Sequence, residues 1–283
     1  MKISTFLIFF LLFYGCIYQN STSESSKNEI LGEKTNEDIV FKSVDDIPVP
    51  KGYKKAVYTE GVFAFYLNHL PLKKDKTVYL FNGEKKKNQK AQYAILDISV
   101  GEQDLQQCAD GVMRLRAEYL FLNKLYDKIH FNTTEGSLMR YTDWANGNHN
   151  LLNPHSISDK LTPNADTSYA QFLKYMNFVF AYASTLSLEN EMKPVKNMSE
   201  IEVGDVFIKG GAPGHAVIVM AVATHPTTKK KIFLLAQSYM PAQDIHILIN
   251  PVDHILSPWY TDGIIGELVT PEWDFKLSEL RRF

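Results

Sequence analysis

Residues 203–224, VGDVFIKGGAPGHAVIVMAVAT, decide how the chain folds. Two apolar runs rich in β-branched residues, 205–208 and 216–223, flank a turn made of glycine, alanine and proline. Two further runs follow at 231–236 and 245–249, with lysine, proline and asparagine between them. Short apolar runs bounded by turn residues are typical of neighbouring strands. The last third of the chain therefore predicts successive antiparallel strands.

Helical periodicity marks the middle of the chain. We expect one helix with Asp104 as its N-cap, continuing to about Leu125. Within it, Arg114 and Glu118 are one turn apart and can pair. Apolar side chains at offsets of four, seven, eleven and fourteen share one helix face: Cys108, Val112, Leu115, Tyr119 and Leu122. A second, apolar and aromatic helix is expected over residues 169–188, and helices followed by strands predict the α+β class.

The segments around these helices give weaker patterns. Residues 61–67 fit a strand or a short helix, and the runs 78–81 and 93–98 suggest a hairpin around Asn82-Gly83. The lysines at 85–87 are interpreted as a solvated loop. Residues 129–166 predict a long irregular insert that lines or covers another part of the molecule.

The N-terminus has the layout of a signal peptide. Met1-Lys2 precede an apolar run from Ile3 to Phe13, and the segment ends at Gly15-Cys16. This run is shorter than the roughly 18 apolar residues that a membrane span requires. A small residue directly before a cysteine resembles the lipobox of bacterial lipoproteins. That resemblance implies a lipid on Cys16, whereas an ordinary secretory peptide is the alternative.

These patterns divide the chain. We expect a signal peptide at 1–15, a lipidated and disordered tether at 16–46, and one α+β domain at 47–283, because the tether has too little apolar content to fold. Inside that domain, residues 47–100 form a β-rich extension and 101–270 form the core. The location implied is the cell envelope, on a lipid anchor facing the periplasm or the cell surface.

Composition excludes some classes of partner. With 30 basic and 32 acidic residues the chain is nearly neutral, and its globular part has no basic stretch of the kind that binds nucleic acid. His149 and His155 lack carboxylates at the spacings of a zinc site, so no metal and no cofactor are expected.

Cysteine usage draws attention to Cys108. If Cys16 carries lipid, Cys108 cannot form an internal disulfide, so it is either inert and buried or kept for reactivity. A nucleophilic cysteine needs a base and a group that orients the base, and a helix N-terminus favours the thiolate. His215 follows a glycine-rich turn at the mouth of a strand, and Gln237-Ser238 end the next strand, beside His215 if the two strands pair.

The order of these pieces resembles NlpC-like and CHAP domains, which are papain-like cysteine amidases and peptidases of bacterial cell walls. The matching stretches are 107–112, 203–207, 214–219 and 235–237. The resemblance implies a papain-like core, in which a cysteine-bearing helix packs on an antiparallel sheet, with an N-terminal β extension and a helical insert. It also implies Cys108 as nucleophile, His215 as base and Gln237 as the polarising third residue.

A second resemblance covers nearly the whole mature chain. The phrases at 105–110, 114–119 and 236–243 are similar to an uncharacterised bacterial lipoprotein family known only as a domain of unknown function. This resemblance implies no activity.

Four more residues are candidates for substrate binding. Arg114 could hold a carboxylate or belong to an ion network, and His246 could face the cleft or pack against the sheet. Trp144 could stack on a sugar or plug the core, as could Trp259 and Tyr260. Ser238 would lie beside His215.

Two functions are therefore weighed. The leading hypothesis is a membrane-anchored cysteine hydrolase that cleaves a peptide or amide bond of the envelope, such as the peptidoglycan stem. The alternative is a catalytically inactive lipoprotein that binds envelope glycan or peptide. An acyltransferase with the same Cys-His pair is a weaker third possibility.

Overall fold

A mostly antiparallel sheet organises the part of the chain described by the computed structural model, residues 41–150 and 158–283. The strands in chain order are β1 Lys54–Lys55, β2 Gln92–Ile95, β3 His130–Asn132, β4 Leu138–Arg140, β5 Lys193–Pro194, β6 Val206–Lys209, β7 His215–Thr224, β8 Lys231–Gln237, β9 His246–Leu248, β10 Tyr260–Thr261, β11 Glu267–Val269, β12 Asp274–Lys276 and β13 Leu280–Arg282. The helices are α1 Phe63–Asn68, α2 Cys108–Leu122, α3 Tyr141–Ala145, α4 Tyr169–Tyr182 and α5 Thr185–Glu191. The α+β class is confirmed.

The main sheet has the order β2-β9-β8-β7-β6-β13-β5, with β1 attached to β7 and β10 attached to β8. Every pairing in it is antiparallel, as the sequence predicts for β6 to β9. Strand β7 is the longest and its residues are buried except at the C-terminal end. Alternate side chains of β7 serve two cores: Ile218 joins the helical side, whereas Val217 and Val219 join a smaller core on the other face.

Helix α2 begins at Cys108 itself, so the cysteine is its first residue. Gln107 is the N-cap, and the Asp110 carboxylate accepts a hydrogen bond from the Gln107 N–H at 3.0 Å. The prediction of Asp104 as the N-cap was wrong, because its carboxylate instead accepts the Ala242 N–H at 2.7 Å. Four of the five residues expected on one face are buried, but Leu122 is 59% exposed because α2 ends there.

The helix expected over 169–188 is two helices. Helix α4 ends at Tyr182, and α5 restarts at Thr185 behind Ser184, whose side chain accepts the Ser187 N–H. The expected irregular insert also has regular structure, because β3 and β4 form a hairpin and α3 packs against α4. Residues 151–157, which include His155, lie outside the described residues.

The N-terminal region departs from prediction in its strand pairing. Residues 61–67 mostly form helix α1, and β2 pairs with β9 instead of forming a hairpin with 78–81. Residues 78–81 make only isolated bridges, one of them between Leu80 and Gln243. A short 3-10 helix at Val44–Asp46, with Val44 buried, precedes the expected start of the domain. The expected signal peptide, Cys16 and residues 17–40 lie outside the described residues.

The C-terminal segment completes the main sheet. Strand β13 lies between β6 and β5, and the Arg282 guanidinium donates to both carboxylate oxygens of Asp205 at 2.6 and 2.8 Å. The core therefore extends beyond residue 270, where we expected it to end. Among residues 41–150 and 158–283, no helix is both long and apolar enough to cross a bilayer.

Candidate active site

Cys108 lies where α2 meets the turn before β7. Its Sγ is 3.9 Å from the carbonyl oxygen of Gly214, the residue directly before His215. Position 214 itself requires a glycine, because a Cβ there would collide with Thr185 Oγ1 and with the Gly211 carbonyl. A cleft of about 300 Å³ opens beside Cys108, and Phe180 and Met240 contribute to its walls.

His215 and Gln237 meet across paired strands. His215 opens β7 and Gln237 ends β8, and because these strands are antiparallel neighbours, the two side chains reach the same end of the sheet. His215 Nε2 is 2.8 Å from Gln237 Oε1, and both residues are 1% exposed. The structure thus brings Cys108, His215 and Gln237 to one corner of the molecule.

Two charged residues that sequence reasoning missed extend this corner. Gln237 Nε2 donates to Glu272 Oε2 at 2.6 Å, and the same carboxylate is 2.5 Å from Lys86 Nζ. The interpretation of 85–87 as a solvated loop was wrong for Lys86, which is 7% exposed and also lies over the Tyr239 ring. Lys86 is flanked by lysines and Glu272 lies 35 residues beyond Gln237, so no spacing signalled either residue.

The hydrogen bonds fix the protonation pattern of the corner. Glu272 can only accept, so Gln237 turns its N–H toward Glu272 and its oxygen toward His215. The other Gln237 N–H points to His246 Nε2 at 3.4 Å, and that ring donates from Nδ1 to the Asp244 carbonyl at 2.9 Å. His215 must therefore donate from Nε2, which leaves Nδ1 with its lone pair, as a general base requires.

Burial favours the neutral forms of Cys108 and His215. Burial, with a smaller contribution from the Asp110 carboxylate, raises the pKa of the Cys108 thiol to about 11, whereas the backbone N–H groups of Ala109 and Cys108 oppose the shift. Burial lowers the pKa of His215 to about 4, although the hydrogen bond to Gln237 opposes that shift. At neutral pH the pair is a thiol and a neutral imidazole.

Ser238 and His246 support this corner from behind. Ser238 Oγ is buried and lies 2.9 Å from the Gln106 carbonyl and 3.0 Å from the Gln243 carbonyl. His246 is fully buried, and burial lowers its pKa to about 3. Both residues pack into the sheet, so neither offers a surface to substrate.

Arg114 and Trp144 are elsewhere. Arg114 Nε donates to Glu118 Oε2 at 2.7 Å, which confirms the pairing expected from their spacing. Trp144 is buried against Tyr175 and Phe178, and the His149 ring lies tilted beside it with 4.4 Å between ring centroids. Trp259 and Tyr260 are also buried, so none of the three aromatic candidates has an exposed ring on which a sugar could stack.

No trio of His, Cys, Asp or Glu side chains converges as a metal site would, as far as residues 41–150 and 158–283 are concerned.

Fold and site together define an α+β protein in which a cysteine at a helix start adjoins a buried His-Gln-Glu-Lys network. Residues 44–282 match the family described as domain of unknown function (4846), and the chain belongs to that family. Comparisons with curated proteins and with solved structures found no match.

Proposed function

We propose that this protein is a papain-like cysteine hydrolase that cleaves a peptide or amide bond. The observation that carries the proposal is the hydrogen bond from His215 to Gln237, made where Cys108 begins α2 next to Gly214. A nucleophile, a base with a fixed tautomer and a residue that fixes it are the three parts that acyl transfer by cysteine needs.

The reaction begins from neutral groups. As Cys108 Sγ attacks the carbonyl carbon, its proton passes to His215 Nδ1, and the tetrahedral oxyanion is stabilised by N–H groups at the start of α2. Collapse of this intermediate breaks the C–N bond, and His215 returns the proton to the leaving amine. Water then hydrolyses the thioester, with His215 again as base.

The choice of substrate rests on the N-terminal sequence. A lipid on Cys16 would hold the domain at a membrane outside the cytoplasm, so the proposed substrate is a peptide or amide bond of the envelope, such as the peptidoglycan stem. The resemblance of the segments around Cys108, His215 and Gln237 to NlpC-like and CHAP domains supports the same choice.

The direct test is hydrolysis of purified peptidoglycan and of its isolated stem peptides by the full chain, followed by mass spectrometry. Cys108→Ala should lose at least about 10³-fold in turnover, because it removes the nucleophile. His215→Ala should also be inactive, whereas the exposed His254→Ala should match the wild type. Hydrolysis that persists in a folded Cys108→Ala variant would sink the mechanism.

A second candidate is a binding protein that retains the fold without turnover. The raised pKa of Cys108 favours it, because at neutral pH very little thiolate is present. Alkylation by iodoacetamide across pH separates the two candidates. A thiol that stays unreactive below about pH 8, in a chain that binds stem peptide without cleaving it, favours the binder.

A further inference from the structure

A second and larger pocket lies along α2, away from the thiol. Its volume is about 660 Å³, within the range typical of ligand sites, and it is bounded by α1, α2 and α4. Aromatic rings supply much of its wall: Phe65, Tyr66, Tyr119, Tyr169 and Phe180. Phe180 also contributes to the cleft beside Cys108, so the two pockets are neighbours.

A buried ion pair forms the polar part of this pocket. Arg114 donates to Glu118 Oε2 at 2.7 Å and to the Tyr169 hydroxyl at 3.0 Å, and Tyr169 donates to Glu118 Oε1 at 2.7 Å. A further Arg114 N–H reaches Gln106 Oε1 at 3.2 Å. Arg114 and Glu118 are largely buried, whereas Tyr169 is 44% exposed. Four hydrogen bonds hold the Arg114–Glu118 pair, and Tyr169, which bonds to both residues, is exposed to the pocket.

This arrangement can both donate and accept hydrogen bonds. The described residues take three of the five guanidinium N–H groups of Arg114, and each Glu118 oxygen has lone-pair capacity left. Tyr66 lines the same pocket, and burial followed by the Glu118 carboxylate raises its pKa, so its hydroxyl stays protonated. Arg114 and Glu118 neutralise each other, and the exposed carboxylates of Glu60 and Asp97 on the same lining disfavour an anionic ligand.

We propose that this pocket binds a neutral saccharide. A sugar hydroxyl can donate one hydrogen bond and accept another, which suits the free N–H groups of Arg114 and the carboxylate oxygens of Glu118. The C–H faces of a pyranose ring pack on aromatic side chains such as those of the pocket wall. The volume accommodates a disaccharide. This proposal does not depend on hydrolysis by Cys108, because it concerns different residues and binding alone.

Isothermal titration of the full-length Cys108→Ala chain with cellobiose, maltose and N,N′-diacetylchitobiose tests the proposal without turnover. At least one of these disaccharides should bind. Tyr169→Phe, which deletes the hydroxyl that links Arg114 and Glu118, should weaken that binding about tenfold. Tyr182→Phe is the matched control, because Tyr182 is similarly exposed on the same helix but does not line the pocket.

A second variant tests the aromatic wall of the pocket separately from the Arg114–Glu118 pair. Phe65→Ala removes part of the aromatic wall and should also weaken binding, while thermal unfolding checks that the variant is folded. The proposal is overturned if none of the three disaccharides binds, or if Tyr182→Phe weakens binding as much as Tyr169→Phe. It is also overturned if C-terminally amidated triglycine, which is a cation at neutral pH, binds and the sugars do not, since that result assigns the pocket to a cation.

Discussion

Two buried polar clusters differ in what they face. The His215 cluster, formed by Lys86, His215, Gln237 and Glu272, packs among aromatic rings, and we call it sealed because none of its four residues lines either pocket described above. The Arg114 cluster, formed by Gln106, Arg114, Glu118 and Tyr169, opens into a pocket through Tyr169. A sealed cluster can orient a neighbouring reactive group, whereas an open one can contact a ligand. This contrast underlies the two proposals, in which the first cluster orients the His215 ring and the second contacts a saccharide in the pocket.

Breaking the sealed cluster should have the largest effect. Glu272→Ala leaves Lys86 buried without its carboxylate, so we expect a loss of about 3–5 kcal/mol in the free energy of unfolding. Urea denaturation measures this change, and the exposed Glu267→Ala serves as control. A loss of less than about 1 kcal/mol, as at a surface pair, would mean that the cluster is not sealed.

The orienting role of the same cluster is tested through Gln237. Gln237→Leu removes the acceptor that fixes the His215 tautomer, so turnover of stem peptide should fall about 10²-fold with little change in KM. Gln243→Leu is a matched control, because Gln243 is equally buried but its side-chain polar atoms have no partner among the described residues. Equal losses in both variants would remove Gln237 from the mechanism.

The open cluster should tolerate damage better. Glu118→Ala removes the acceptor for Arg114 and Tyr169, but water in the pocket can solvate the freed groups, so we expect a loss of about 2 kcal/mol. The exposed Glu135→Ala is the control, and urea denaturation is the measurement. If Glu118→Ala costs as much as Glu272→Ala, the distinction between the clusters fails.

The smallest effect concerns Asp110, which lies near Cys108 outside both clusters. Burial raises the pKa of Asp110 to about 8, so this carboxyl ionises only in mild alkali and then opposes formation of the Cys108 thiolate. Asp110→Asn should therefore shift the pH profile of iodoacetamide alkylation toward lower pH. The rates of the two proteins should diverge above about pH 8 and converge near pH 6.

Stability gives a second readout with a definite sign. Because the folded-state pKa of Asp110 is raised above that of the unfolded chain, its favourable contribution is complete below about pH 4 and is lost as the pH rises through about 8. The wild type should therefore lose stability relative to Asp110→Asn over this window. Parallel pH curves for the two proteins would show that Asp110 is ionised at neutral pH.

Local order explains what could be predicted from the sequence. The pairing of Arg114 with Glu118 follows from helical spacing, and β6 to β9 follow from runs of β-branched residues. The position of Cys108 near a helix start was also predictable, because apolar periodicity begins there.

Tertiary contacts explain what could not be predicted. Lys86 and Glu272 are 186 residues apart, and only the folded sheet brings them together at Gln237. Asp is a residue type that favours the N-cap position, but the Asp104 carboxylate accepts a hydrogen bond from the Ala242 backbone N–H instead. Ser184 interrupts an otherwise continuous helical pattern, because its side chain caps a new helix.

Because β13 lies inside the main sheet, the sheet cannot be completed until residues 280–282 have been synthesised. The ribosome synthesises Cys108, His215 and Gln237 before Glu272 and β13, and these later residues complete the polar cluster and join the sheet. A nascent chain therefore holds Cys108 and His215, the proposed nucleophile and base, before it holds the carboxylate that orients Gln237. We expect an unfinished chain to be inert, so that any bond-cleaving power is withheld until synthesis has passed residue 282.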